Sequence, residues 1–118
     1  MTPPILYIAG PYNSGGMHKE NITAASRISL QAWAAGWATI CPHKNTAWFH
    51  LSQSGPSETV YLAGYLAILA RSDAILMIPG WSQSSGAVAE RHFAIDHCIP
   101  IYYYETNGIP PLPGSVVP

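Results

Sequence analysis

The sequence predicts an α/β fold, a three-layer sandwich in which helices cover both faces of a mostly parallel sheet of four to five strands. Three observations support this prediction. The chain has 118 residues, which suits one compact domain. Short apolar runs alternate with longer stretches that are typical of helices. The apolar runs lack polar alternation, as expected of strands buried on both faces.

The elements follow in order along the chain. The four expected strands are residues 5–9, 37–41, 74–78 and 99–103. The expected helices run from Asn21, as N-cap, to about Ala35, then over 57–71, and from Ser84 or Ser85 to about His97. Gly36 ends the first helix, and residues 43–56 are expected to form a loop. We expect a domain at residues 1–105 and a proline-rich C-terminal tail at 106–118 that lies over the body or a neighbouring subunit.

Composition excludes several classes of protein. The net charge is −1, so there is no electrostatic case for binding a nucleic-acid polymer or an anionic membrane. No apolar stretch is long enough to span a bilayer, and no signal peptide is recognised, so we expect a cytoplasmic protein. Only 9% of residues are charged, which predicts apolar surface covered in a homodimer or larger homo-oligomer.

Motifs for cofactors and metals are missing from the sequence. It has no GxGxxG, HExxH or CxxC, and we therefore expect no dinucleotide, no other cofactor and no metal site. The two cysteines, Cys41 and Cys98, are expected to be buried thiols rather than a disulfide.

A ligand site is expected where the parallel strands end, because open parallel sheets bind ligands beyond the carboxyl ends of their strands. Three loops bring glycine, aromatic and polar groups to this edge. The Ser84-Ser85-Gly86 cluster opens a helix, where a serine either caps the helix or helps to bind a phosphate. The candidate ligand-binding residues of the three loops are Gly10, Tyr12, His43, Asn45, Gly80, Trp81, Ser84, Ser85 and Gly86.

Glu90 is the acidic residue best placed to act at that edge. It lies one turn after Gly86 on the same helical face, and helical side chains lean toward the N-terminus. A carboxylate in a partly apolar cleft is a candidate nucleophile or general base, and attack on an anomeric carbon suits it. The alternative is a solvated helix glutamate. Lys44 and Arg91 are the cations nearest the proposed phosphate, and either pairs with it or with Glu90.

Four segments of the chain, taken together, resemble one family. They are YIAGPY at 7–12, CPHKNTAWF at 41–49, YLAGYLAIL at 61–69 and SDAILMIPGWSQSSGAVAE at 72–90. In this order and at these spacings they are similar to the nucleoside 2-deoxyribosyltransferase-like superfamily, and most of all to its small bacterial and phage branch, DUF4406. The resemblance implies a Rossmann-like (flavodoxin-like) fold and an N-glycosidase or deoxyribosyltransferase that acts on a small nucleoside or nucleoside 5'-monophosphate.

The resemblance also implies roles for individual residues. Glu90 corresponds to the catalytic nucleophile, Ser84 with Ser85 to the phosphate-binding serine, and Gly10 with Tyr12 to the wall of the nucleoside pocket. From the residues themselves, Trp81, Trp48 and Tyr12 are candidates either to stack on a nucleobase or to pack beside the cleft. Homo-oligomers in which a neighbouring subunit closes the site are also implied.

One position departs from the family pattern. Where the resemblance leads us to expect an aspartate that faces the site, the chain has Tyr65. Glycosidic cleavage generally uses a second acid, so the candidate proton donors are His43, Tyr12, Tyr65, or Glu58 from another subunit. The alternative function is a nucleotide-binding module with weak or no turnover, and a third is an assembly protein with a vestigial cleft.

Overall fold

The computed structural model describes residues 2–11, 18–42 and 57–114. Within these ranges the strands are β1 (Ile5–Ala9), β2 (Ala38–Ile40), β3 (Ala74–Met77) and β4 (Ile101–Tyr103). The helices are α1 (His18–Ala34), α2 (Glu58–Leu69), α3 (Ser85–Asp96) and a short α4 (Tyr104–Asn107), with a 3-10 turn at Trp81–Gln83 before α3.

The four strands form one parallel sheet in the order β2-β1-β3-β4. The chain leaves β1 for β2 at one edge and then returns to β3 on the other side of β1. Strand order therefore reverses between β1 and β3, and this topological switch point is where sheets of this kind bind ligands. The expected α/β fold with a parallel sheet is confirmed.

Helices cover the sheet on both faces because successive strand residues point to opposite sides. Leu6 and Ile8 of β1 pack with α1 on one face, whereas Tyr7 and Ala9 pack with α2 and α3 on the other. All strand residues from Leu6 to Ala9 are buried. The absence of polar alternation in this run thus correctly indicated a strand covered on both faces.

The segment after β4 completes the α1 side of the sheet. Tyr104, Ile109 and Leu112 pack against the core on that face. The indole Nε1 of buried Trp37 donates to the carbonyl oxygen of Pro110 at 3.0 Å. The described part of the C-terminal segment therefore lies on the body of the domain, and the expected boundary at residue 105 stays a prediction.

Two local expectations were wrong. α1 begins at His18, so Asn21 lies inside the helix rather than at its N-cap. Lys19 and Glu20 are good helix formers, and an acidic side chain in the first turn interacts favourably with the helix dipole, so the helix extends back past the cap signal. Cys98 is exposed, with a φ of 55°, because it lies in the turn after α3, whereas Cys41 is buried as expected.

None of the described helices is long and apolar enough to cross a membrane.

Candidate functional site

The loops that leave β1 and β3 touch each other at the switch point. A Cβ on Gly10 would lie 2.3 Å from Cγ1 of buried Ile78, so only glycine fits at that position. Gly80 has a φ of 90°, and a Cβ there would lie 3.0 Å from Cγ of Pro11. The two glycines, both predicted to line the site, let the strand-exit loops approach closely and give the edge of the crevice a defined shape.

Glu90 is buried at this place, with 5% of its surface exposed. It lies in the middle of α3, and its carboxylate Oε2 accepts a hydrogen bond from the hydroxyl of Tyr7, a fully buried residue of β1. The side chain therefore points from α3 toward the sheet beside the switch point and not into bulk solvent. The predicted direction of this glutamate agrees with the structure, while its chemical role stays a prediction.

Burial sets the ionisation of this pair. Desolvation raises the pKa of Glu90 from its ordinary 4.5 to about 7, and the hydrogen bond from Tyr7 lowers it in part. Burial, followed by the neighbouring Glu90, raises the pKa of Tyr7 far above its ordinary value, so the phenol keeps its proton and acts as a donor. Near neutral pH the carboxyl group is present in both ionised and protonated forms.

Tyr7 is the residue that the sequence interpretation missed. It was treated as one more apolar position in the run ILYIA. The available signal was a hydroxyl within a strand expected to be buried on both faces, because a buried tyrosine hydroxyl usually has a hydrogen-bond partner. That signal does not identify the partner, which is 83 residues away in sequence.

Tyr65 lies on the same side of the sheet as this pair. Its partly buried ring packs against the cluster that contains Tyr7 and Met77, and it stacks with Tyr61 at 6.4 Å between ring centroids. It is close enough to Tyr7 to contribute to the raised pKa of that residue. The position where the resemblance leads us to expect an aspartate thus borders the Tyr7–Glu90 pair.

The start of α3 is capped by its own serine. The Oγ atom of Ser84, the N-cap residue, accepts a hydrogen bond from the backbone N–H of Ala87 at 3.2 Å. Ser85 is the exposed first residue of α3. Both uses of Ser84 considered from the sequence remain compatible, because a capping hydroxyl can also face a ligand.

A second cluster lies at the same carboxyl ends of the strands, beside the last residue of β4. Nε of Arg91 donates to the hydroxyl of Tyr103 at 2.8 Å, and its guanidinium carbon lies 5.4 Å from the ring centroid of Trp81. The rings of Trp81 and Tyr103 are 5.8 Å apart and tilted by 48°. Trp81 is thus held against Arg91 of α3 and Tyr103 of β4.

Several predicted site residues lie outside the described part of the chain. They are Tyr12, His43 and Asn45, together with Lys44 and Trp48. The side chain of Glu58 is likewise not described. Among the described residues, no three His, Cys, Asp or Glu side chains come together as metal ligands.

The fold and site define a class of protein: a flavodoxin-like α/β domain with a buried carboxylate beside the topological switch point of its sheet. The family model described as "Domain of unknown function (DUF4406)" matches residues 4–103, and the chain belongs to this family. A comparison of the sequence with curated proteins gives no match.

Two solved structures share the fold. The 2-deoxyribosyltransferase of the psychrotolerant bacterium Bacillus psychrosaccharolyticus superposes with a TM-score of 0.59 at 14% identity, covering 97% of this chain and 77% of that one. The 2-deoxyribosyltransferase of Leishmania mexicana gives 0.60 at 14% identity, covering 95% and 76%. The resemblance to the nucleoside 2-deoxyribosyltransferase-like fold family is confirmed.

Proposed function

We propose that the protein cleaves or transfers the N-glycosidic bond of a small nucleoside or nucleoside 5'-monophosphate, with Glu90 as the nucleophile. The observation that carries the proposal is the buried Glu90 carboxyl, held by Tyr7 beside the topological switch point, where sheets of this kind bind ligands. The fold shared with two 2-deoxyribosyltransferases supports the same reaction class.

The first step forms a glycosyl–enzyme ester. In its ionised form the Glu90 carboxylate attacks C1' of the sugar, the C1'–N bond breaks, and the bonding electrons leave with the base, which takes up a proton. In the second step water or another base attacks C1' and gives its proton to the group that protonated the leaving base, and the C1'–O bond to Glu90 breaks to release the carboxylate. Water completes a hydrolysis, and a second base completes a transfer.

Tyr7 orients the nucleophile in this scheme. Its O–H occupies one oxygen of the Glu90 carboxylate, which leaves the second oxygen to face the sugar. The bond also offsets part of the rise in the pKa of Glu90 that burial causes. Because only the ionised form attacks, turnover is expected to increase with pH through about 7.

The groups considered from the sequence are the candidates for the proton donor to the leaving base. Tyr65 is the one within the described residues, and it borders the Tyr7–Glu90 pair. His43 and Tyr12 are alternatives, as is Glu58 of another subunit. If the substrate carries a 5'-phosphate, we assign it to the region beside Trp81 and the start of α3, where Ser84 and the exposed Ser85 lie.

Release of free base is the direct test. The wild-type protein is incubated with the four common 2'-deoxynucleosides and their 5'-monophosphates, with and without a second base as acceptor. We expect free base in the absence of an acceptor if water is used, and a new nucleoside in its presence if transfer occurs. Glu90→Gln should lower turnover by at least about a thousandfold, since removing a covalent nucleophile removes the whole pathway. Turnover that survives this substitution would contradict the mechanism.

A second candidate function is a nucleotide-binding module with little or no turnover. The observation that favours it is Tyr65, which brings a phenol instead of a second carboxylate to the border of the site. Stabilisation against thermal unfolding by a nucleotide, with no base released over hours, would favour binding alone. Tyr65→Asp would then be expected to gain base release.

We also propose that the protein forms a homodimer or larger homo-oligomer. Large apolar side chains are exposed on the described surface, with Leu30 at 70% and Trp33 at 55% on α1, and Val60 at 56% on α2. Size-exclusion chromatography with light scattering measures the assembly directly. A monomer at micromolar concentration would contradict this proposal.

A further inference from the structure

We propose that Arg91 is a specificity-determining residue of the site, whose guanidinium receives the 5'-phosphate of a nucleotide substrate. The inference rests on the proposed function, which it deepens by naming the anionic form of the substrate as the preferred one. It starts from the geometry of the arginine at the carboxyl edge of the sheet.

The guanidinium of Arg91 is positioned before any ligand arrives. One of its five N–H donors is used by the hydroxyl of Tyr103, and the ring of Trp81 lies beneath the cation. A long side chain that is already held in place loses less freedom when it binds an anion. This bracing distinguishes Arg91 from a mobile surface cation.

Arg91 also has N–H donors besides the one that bonds to Tyr103. Throughout the part of the chain that the structure describes, it contacts no carboxylate, and its only hydrogen bond is the one from Nε to Tyr103. The two terminal nitrogens therefore remain for a ligand. Their planar fork matches the oxygens of a phosphate, which it binds through two parallel hydrogen bonds.

The strand register gives a rough separation between Tyr7 and Tyr103, the two tyrosines that hold Glu90 and Arg91. Tyr7 of β1 is the partner of Ile75 in β3, and Ile75 is the partner of Ile101 in β4. Tyr103 lies two residues after Ile101 on the same face of the sheet. Two strand spacings and two residues of rise separate the backbones of Tyr7 and Tyr103 by about 12 Å. Both side chains point to the same face, so their hydroxyl groups are separated by a distance of the same order.

A nucleotide spans this gap when its anomeric carbon meets the nucleophile. The attacking oxygen approaches C1' to about 3 Å. The five covalent bonds from C1' to the phosphorus extend over roughly 6 Å. A phosphate oxygen accepts from a guanidinium nitrogen at about 3 Å. The sum matches the separation derived from the strand register, whereas an uncharged nucleoside ends before it reaches Arg91.

Arg71 provides a matched control on the same side of the sheet. It follows α2 and precedes β3, so it lies at the amino ends of the strands, away from the proposed site. Its Nη1 donates to the carbonyl oxygen of Ala67 at 2.7 Å. Removing its charge changes the net charge of the protein by the same amount as removing that of Arg91, without changing the proposed phosphate contact.

The test compares affinities in full-length protein that carries Glu90→Gln to prevent turnover. Isothermal titration calorimetry gives the dissociation constants of each 2'-deoxynucleoside and its 5'-monophosphate. We expect the monophosphate to bind at least about tenfold more tightly, as one charge-assisted contact provides. Adding Arg91→Gln should remove most of this preference and leave nucleoside affinity within about twofold, whereas Arg71→Gln should keep it. Raising the salt concentration should weaken monophosphate binding alone.

Two further variants separate the contact from a folding defect. Arg91→Lys keeps the charge but loses the planar pair of terminal nitrogens. Tyr103→Phe keeps the charge but removes the hydrogen bond that holds the guanidinium. Both variants should therefore show an intermediate preference for the monophosphate. Equal affinities for the two ligand forms, a preference that survives Arg91→Gln, or no binding of either ligand would overturn the proposal. Base release by the wild-type protein is scored separately. Binding through Arg91 without base release would support this inference while contradicting the proposed reaction.

Discussion

Replacing Glu90 with glutamine should remove a specific pH dependence of folding stability. Burial raises the pKa of Glu90 to about 7 in the folded protein, compared with an ordinary value of 4.5. Between these two values the folded state holds a proton that the unfolded chain releases. As pH rises, ionisation therefore lowers the free energy of the unfolded state more than that of the folded state. The free energy of unfolding decreases as a result.

The magnitude follows from the two pKa values. Between about pH 5 and pH 8, this one group should lower the free energy of unfolding by about 2.5 kcal/mol. Most of the loss occurs below about pH 7, and above it the contribution levels off because both states are then ionised. Glutamine does not ionise, so Glu90→Gln should lack this component entirely.

Urea unfolding of both proteins at the two pH values measures the effect. All other ionisable groups are the same in both proteins, so the difference between the two pH dependences isolates Glu90. Glu105→Gln, which changes an exposed carboxylate on α4, is the matched control and should behave as wild type. If wild type and Glu90→Gln lose the same stability between the two pH values, the buried carboxyl group does not titrate as argued.

Two other perturbations test the contacts around the site. Tyr7→Phe removes the one hydrogen-bond donor to the Glu90 carboxylate within the described residues, so the pKa of Glu90 should move above about 7 and stability at alkaline pH should fall by roughly 1–3 kcal/mol. An unchanged midpoint in the pH dependence of stability would contradict the hydrogen bond. Gly10→Ala places a Cβ against Ile78 and should cost about 1–3 kcal/mol in urea unfolding. Gly64→Ala, in the middle of α2 with open space around it, should instead stabilise by about 0.5–1 kcal/mol, and equal effects of the two alanines would refute the packing argument.

Much of the fold was predictable because the local signals agree with the tertiary structure. The apolar run of β1 ends at Gly10-Pro11, and its predicted bounds are those of the strand. Ser84 was expected at the start of a helix, and it caps α3. By contrast, the helix expected to start after Asn21 begins at His18, because Lys19 and Glu20 also favour a helix and Glu20 interacts favourably with the helix dipole.

The candidate site was predictable in place but not in detail. Spacing alone placed Glu90 one turn into a helix that begins at the carboxyl edge of the sheet. Its partner Tyr7 depends on which strand lies beneath α3, and that depends on strand order, which local patterns do not encode. The bond from Arg91 to Tyr103 has the same origin, because it joins α3 to a strand at the sheet's edge.

The placement of the C-terminal segment has a practical consequence. Trp37 and the carbonyl of Pro110 meet on the α1 side of the sheet, whereas Glu90 and Tyr7 face the α2 and α3 side. A single sheet thus separates the contacts of this segment from the proposed chemistry. Substitutions that strengthen or weaken the Trp37–Pro110 hydrogen bond should change the melting temperature and leave the candidate site unaltered. Thermal stability and activity could therefore be adjusted independently.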